Sequence, residues 1–248
     1  MTRPPAPRRI HCGYHKCLTM YFRAVFEHLF GGPLRARGSF HHFFHWFDAF
    51  EAHGHEHTVA SISGHALDLD RYGDVRVSRI VRDPRDLVVS GYWYHRRSGE
   101  GWCDLPDPTD ADLAQVGGAV PSMLPESTPL AAYLQAVPLE QGLLAELEFR
   151  RHHFASMMAW PDDDPRVLTL RYEEVVGDEV AQVDRVLRFF ELSPYARLRG
   201  RWFARRFAAS RRRGRDPHIR DPRAGQWRAH FTPAVTRRFE ELYPGLVD

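Results

Sequence analysis

Lysine is almost missing from this 248-residue chain: of its 34 Lys and Arg residues, 33 are arginine and one, Lys16, is lysine. Lysine is a compact, flexible point charge and arginine a planar fork, so Lys16 marks a position where the compact charge itself is a candidate requirement. Cysteine is scarce as well. Three of them (Cys12, Cys17 and Cys103) are too few, and odd in number, for a disulfide framework. Cys12 and Cys17 have no second pair to complete a zinc site, and the 15 histidines show no zinc spacing. No apolar run approaches the roughly 18 residues that span a bilayer. Met1 to Arg9 lacks the apolar core of a signal peptide, so a cytoplasmic location is expected. Net charge is only +2, which implies no general attraction to nucleic acid. There is no internal repeat and no clear domain boundary.

What is present reads as α/β. Hydrophobic residues at 43% and charged residues at 27% exclude a disordered tail, a fibre and a coiled-coil rod. Arg8 to Cys12 reads as a strand running into Gly13, and from Thr19 onward Tyr21, Phe22, Val25, Phe26 and Leu29 form a helical stripe ended by Gly31-Gly32-Pro33. Val75 to Val81 is a β-branched strand, and Asp83-Pro84 is a cap followed by a first-turn proline. Phe40 to His57, rich in His and Phe without a clear period, reads as loop or short helix. Residues 104–129 read as a long excursion, a lid or substrate loop. Residues 130–160 are helical with a break at Pro138; Arg166 to Tyr172 is a strand; amphipathic helices follow over 180–190 and from Thr232-Pro233. Strands alternating with helices predict one domain over 1–248 with a central parallel sheet flanked by helices.

Two constellations carry chemistry. Gly13-Tyr14-His15-Lys16-Cys17-Leu18-Thr19 joins a strand to a helix N-terminus, where unpaired N–H groups and the helix dipole favour an anion. The G-x-x-x-x-G-K-[ST] spacing of a Walker A loop is absent. Arg82-Asp83-Pro84-Arg85-Asp86 continues to Ser90, with Arg82 at the carboxyl end of a strand, where ligands bind in open α/β sheets. An arginine fork and a hydroxyl can grip a phosphate together.

These segments resemble the signature of sulfotransferases that use 3′-phosphoadenylyl sulfate (PAPS). That family's first loop reads like G-x-x-K-[STC]-G-[ST]-[ST]. Its second motif, R-[DN]-P-x-D-x-x-x-S, is matched at every fixed position from Arg82 to Ser90. Gly225 to Thr232 is similar to its G-D-W-K-N-x-F-T, and Arg171-Tyr172-Glu173-Glu174 to its strand-end Y-E-D/E. The resemblance implies a P-loop-like sulfotransferase fold, PAPS as sulfuryl donor and its desulfated product PAP as leaving group. It places the loop Gly13 to Thr19, with Lys16 and Thr19 foremost, at the 5′-phosphosulfate, and Arg82, Ser90 and Arg220 at the 3′-phosphate. Trp227 shapes the nucleotide end, and Tyr172 joins the set through its strand-end motif. Leu18 and Met20 depart from the family's glycine and second hydroxyl. Asp221-Pro222 replaces its Lys-Gly, which shifts the 3′-phosphate grip towards Arg223.

An acceptor hydroxyl needs a base near neutral pH, and histidine is the natural one. His65, after Ser61-Ile62-Ser63-Gly64, sits where the family's T-H motif has its catalytic histidine. His15, Glu27 and Asp48 are the rivals, with His41 and His42 weaker. The expected acceptor is a hydroxylated small molecule or lipid-like alcohol, and Phe40, Phe43, Phe44, Trp46, Phe47, Tyr92, Trp93, Tyr94 and Trp102 either line its pocket or fill the core. The arginine cluster Arg205 to Arg215 reads as a solvated face or a basic loop near PAPS. Two other readings stay open: a small-molecule or nucleotide kinase of related fold, and a non-catalytic nucleotide-binding protein.

Overall fold

A computed structural model describes residues 8–97, 99–114, 116–161, 163–208 and 221–247. The chain groups into two compact units: Met1–Val81 with Trp160–Pro222, and Arg82–Ala159 with Arg223–Asp248.

The first unit holds a five-stranded, all-parallel sheet. Its strands are β1 (Arg8–Gly13), β2 (Phe40–His42), β3 (Val59–Ser63), β4 (Val75–Val81) and β5 (Val167–Arg171), in the order β2-β3-β1-β4-β5. Side-chain alternation sorts each strand onto two faces. Ile10, Cys12, Ala60, Ile62, Val75 and Val77 build one apolar face with Phe43, Phe50 and Trp160. The opposite face carries a buried polar row. His42, Ser61, His11 and Ser78 lie on one rung across four strands, with His42 Nδ1 2.8 Å from Ser61 Oγ and His11 Nδ1 2.9 Å from Ser78 Oγ. Helix α1 (Thr19–Phe30) covers this row, its Phe22 ring 4.5 Å and its Phe26 ring 5.6 Å from that of His11. The segment read as loop or short helix holds both β2 and helix α2 (Phe47–His53). Three residues of His and Phe are too few to show a strand period.

The second unit is helical: α3 (Pro84–His95), α4 (Asp110–Ala114), α5 (Leu130–Ala136), α6 (Leu139–Phe149) and α7 (Arg151–Met158). The expected break at Pro138 is where α5 gives way to α6. The remaining helices of the first unit are α8 (Tyr172–Val175), α9 (Glu179–Phe189) and α10 (Pro194–Phe207), and α11 (Pro233–Leu242) closes the second unit. In α6, fully buried Glu146 takes a bond from Arg150 Nε at 2.8 Å and faces His95 Nδ1 at 2.7 Å. Gly91 of α3 packs directly on Glu146 and Arg150, with no room for a Cβ. The excursion 104–129 is fastened to this unit. Ala119 N donates to Phe149 O, and His153 N to Gly117 O, each at 2.8 Å, while Leu113 and Ala119 are buried. Opening this stretch as a lid would break those bonds.

Candidate active site

All five strands are parallel, so their carboxyl ends share one edge of the sheet. The segments singled out in the sequence leave from that edge. Gly13 to Thr19 follows β1, Gly64-His65 follows β3, and Tyr172 follows β5; the residue after β4 is Arg82. Val81 and Arg171 are partners at the last rung of β4 and β5, and Gly13 and Ser63 at that of β1 and β3.

The loop after β1 is closed by one carbonyl. Tyr14 O accepts from Cys17 N and from Thr19 Oγ1, each at 2.9 Å. Thr19 lies so close to Gly13 that a Cβ there would stand 2.7 Å from Oγ1, which fixes glycine at the strand end. Lys16 (φ 68°) and Leu18 (φ 58°) both adopt the left-handed conformation. Leu18 occupies the position where the resembling loops carry glycine, and the backbone supplies the reason: glycine takes positive φ without steric cost. The Tyr14 side chain is fully buried, its hydroxyl accepting from Trp160 Nε1 at 2.7 Å, and Cys17 is buried too. These two residues serve the loop through their backbone, not their side chains. His15 and Lys16 are half-buried. Leu18 caps α1 without a side-chain hydrogen bond, and the first turn holds no acid. The positive end of a twelve-residue helix is therefore left without protein anions in its first turn.

His65 is half-buried. Its Nε2–H donates to His45 O at 3.3 Å, which leaves Nδ1 as the basic nitrogen, and its ring lies 4.8 Å from that of Phe47. Burial pulls its pKa below the ordinary histidine value, with His45 pushing the same way and the bond to the His45 carbonyl opposing. The lowered pKa favours the neutral ring at pH 7. Among the rivals, Glu27 is engaged by Arg23 at 2.6 Å near the far end of α1, and Asp48 is exposed on α2. His42 belongs to the buried polar row and is pushed down to about 4, by burial first. Tyr172 is buried and its hydroxyl donates to Pro222 O at 3.0 Å, tying the end of β5 to residues 221–222.

In the second unit, Asp83 caps α3 by accepting from Arg85 N at 2.9 Å, with Pro84 in the first turn. Arg82 is buried and Ser90 half-buried. Asp86, 1% exposed, accepts from Gly225 N at 2.6 Å and Trp227 N at 3.0 Å. It is the residue the sequence reading passed over. Its signal was its fixed place in the second motif, which is explained by fastening the Gly225 segment to α3. The Trp227 ring has the Arg85 guanidinium 3.9 Å and that of Arg228 4.7 Å from its centroid. Arg223 is exposed. Arg220 and most of the Arg205 to Arg215 cluster lie outside the described residues; Arg205 and Arg206 are exposed at the end of α10.

Residues 72–247 match the sulfotransferase domain, about seven tenths of the chain. The chain belongs to the sulfotransferase domain family. The matched stretch includes Arg82 to Ser90 and Gly225 to Thr232 but not the loop 13–19. No curated protein matches the chain. Among solved structures, mouse sulfotransferase SULT7A1 complexed with PAP aligns over 98% of this chain and 84% of its own, with TM-score 0.59 and 17% identity. Retinol dehydratase in a complex with retinol and PAP aligns over 98% and 82%, with TM-score 0.49 and 14% identity. The first likeness shows that the sulfotransferase fold extends over the N-terminal loop as well. As a sulfotransferase, the chain is an enzyme of sulfuryl transfer, and the kinase reading falls away. Among the described residues no helix is long and apolar enough to cross a membrane.

Proposed function

We propose that this sulfotransferase moves a sulfuryl group from PAPS to the hydroxyl of a small molecule or lipid-like alcohol. PAPS supplies the sulfuryl group and departs as PAP. One observation carries most of this reading. The loop after β1 presents the lone lysine of the chain beside a helix N-terminus that has neither side-chain cap nor first-turn acid. Such a donor set fits a phosphosulfate, because preorganised cations and N–H dipoles stabilise the charge that develops on a leaving phosphate.

Lys16 holds that charge. Thr19 donates its hydroxyl proton to Tyr14 O, so we assign it to closing the loop, with backbone N–H groups meeting the oxygens. Arg82 and Ser90 take the 3′-phosphate, with Arg220 and Arg223 as further charges for it. Trp227, between Arg85 and Arg228 in its contacts, borders the nucleotide end. His65 Nδ1 accepts the acceptor's proton. Phe47 beside His65, with exposed Trp46 and Phe44 in the same segment, suits an acceptor with an apolar body. Cys12, Cys17 and Cys103 are buried thiols, which fits a reducing, cytoplasmic setting.

The test is transfer of label from radioactive PAPS to a panel of hydroxylated small molecules and alcohols. Labelled product supports the reading. Transfer to none of these hydroxyl acceptors would count against the proposed acceptor class.

A further inference from the structure

Helix α10 turns small residues inward and a mixed apolar and cationic face outward. Ala196, Gly200, Phe203, Ala204 and Phe207 are buried. Tyr195, Leu198 and Trp202 are 49%, 66% and 56% exposed. At about 100° per residue these three form the middle of the outward arc. Arg201 and Arg205 run along one side of that strip, Arg199 and Arg206 along the other. The helix contains no Lys, Asp or Glu, and Arg197, which faces back, pairs with Asp184 at 3.0 Å. The Arg206 guanidinium lies 5.6 Å from the Trp202 ring. Tyr195 donates its hydroxyl to Leu34 O at 2.9 Å, so the apolar strip continues onto Leu34, 65% exposed, with Arg35 and Arg37 exposed beside it.

Single exposed apolar residues are ordinary. A strip of four, bordered by arginines on both sides and free of acids along the helix, demands a partner that is anionic at its surface and apolar just beneath. A nucleic acid would satisfy the arginines and stack on Trp202 and Tyr195, but it would leave Leu198 and Leu34 against polar surface. The boundary between headgroups and acyl chains satisfies all of them. We propose that this face docks on the surface of an anionic phospholipid bilayer. The helix lies in the plane of the interface; Tyr195, Leu198 and Trp202 enter between headgroups, and Arg199, Arg201, Arg205 and Arg206 meet the phosphates. Arginine stems can lie along the apolar strip while their heads stay at the polar level.

The experiment is co-sedimentation of the full chain with phosphatidylcholine vesicles, with and without roughly one third phosphatidylglycerol. The chain should partition onto the anionic vesicles, and rising salt should release it. Each arginine near an anionic surface contributes roughly fivefold, so Arg201→Glu with Arg205→Glu should weaken partitioning by about 25-fold or more. Leu198→Ser with Trp202→Ser, which keeps every charge, should weaken it by about tenfold or more. Because all four side chains are exposed, both double variants should melt with the wild type, and circular dichroism checks this. Absence of binding to anionic vesicles would overturn the proposal. So would binding that survives Leu198→Ser with Trp202→Ser at full strength, or a short RNA that binds more tightly than the vesicles and displaces them.

Discussion

The Gly64 amide donates to the Gly13 carbonyl at 2.9 Å, joining the residue before His65 to the first residue of the loop that carries Lys16. Adjacent parallel strands thus deliver the proposed base and the proposed charge stabiliser to the same sheet edge, each from a strand whose interior is buried. Sites built on rigid elements keep their geometry better than sites held by loops alone.

His65→Ala should lower turnover by about 100- to 10,000-fold while PAP affinity stays nearly unchanged. The base acts in its neutral form, so the rate falls as pH drops through its pKa. Burial lowers that pKa, which puts the acid limb of the wild-type rate profile below the ordinary histidine value, and the limb should vanish in the variant. An unchanged acid limb in His65→Ala would move the role to His15.

Lys16→Arg should reduce turnover by about 100- to 1000-fold, the usual cost of losing one well-placed charge stabiliser. Both residues carry the same charge and meet the same left-handed backbone, so the fold should hold and melting should not change. What differs is shape. Wild-type turnover in this variant would remove Lys16 from the account.

Asp86→Ala leaves the Gly225 and Trp227 amides without their buried carboxylate. Hydrogen bonds to a charged group are worth about 1.5–3 kcal/mol each, so urea unfolding should register a loss of about 3 kcal/mol or more. A loss below about 1 kcal/mol would mean that other contacts hold the Gly225 segment to α3.

Stability should fall on mild acidification. Burial pushes the pKa of His11 down to about 3 and that of His42 to about 4, whereas each titrates near 6.5 when unfolded. Between these values the unfolded chain binds protons that the folded chain excludes, so stability drops as pH decreases below about 6.5. At pH 5 each histidine should cost about 2 kcal/mol relative to pH 7. Denaturant unfolding at the two pH values measures their sum together with the contribution of buried His153, which burial also holds well below its ordinary value; equal stabilities would contradict the buried polar row.

Much of this architecture was readable because strand and helix periods were undisturbed. β1 and β4 lie inside the parallel sheet and β5 at its edge; β4 and β5 are short runs rich in β-branched and apolar residues, and the stripe of α1 is strictly helical. The site segments were readable for a different reason: Arg82 to Ser90 combines a strand end, a helix cap and fixed polar positions. Two kinds of feature escaped. β2 is three residues of His and Phe, and α10 hides its inward face in Ala196, Gly200 and Ala204 among arginines, so neither displays a period. Asp86 was visible, but its partners are backbone amides about 140 residues away, and no side-chain pattern announces them.

The most direct measurement is calorimetric titration of the wild type, Arg82→Ala and Ser90→Ala with PAP and with the analogue that lacks the 3′-phosphate. The wild type should bind PAP more tightly, by roughly 1.5–3 kcal/mol for each charged hydrogen bond to the 3′-phosphate. Each variant should lose affinity for PAP and little for the analogue. A wild type that binds the two ligands equally, or variants that lose equally for both, would contradict the account.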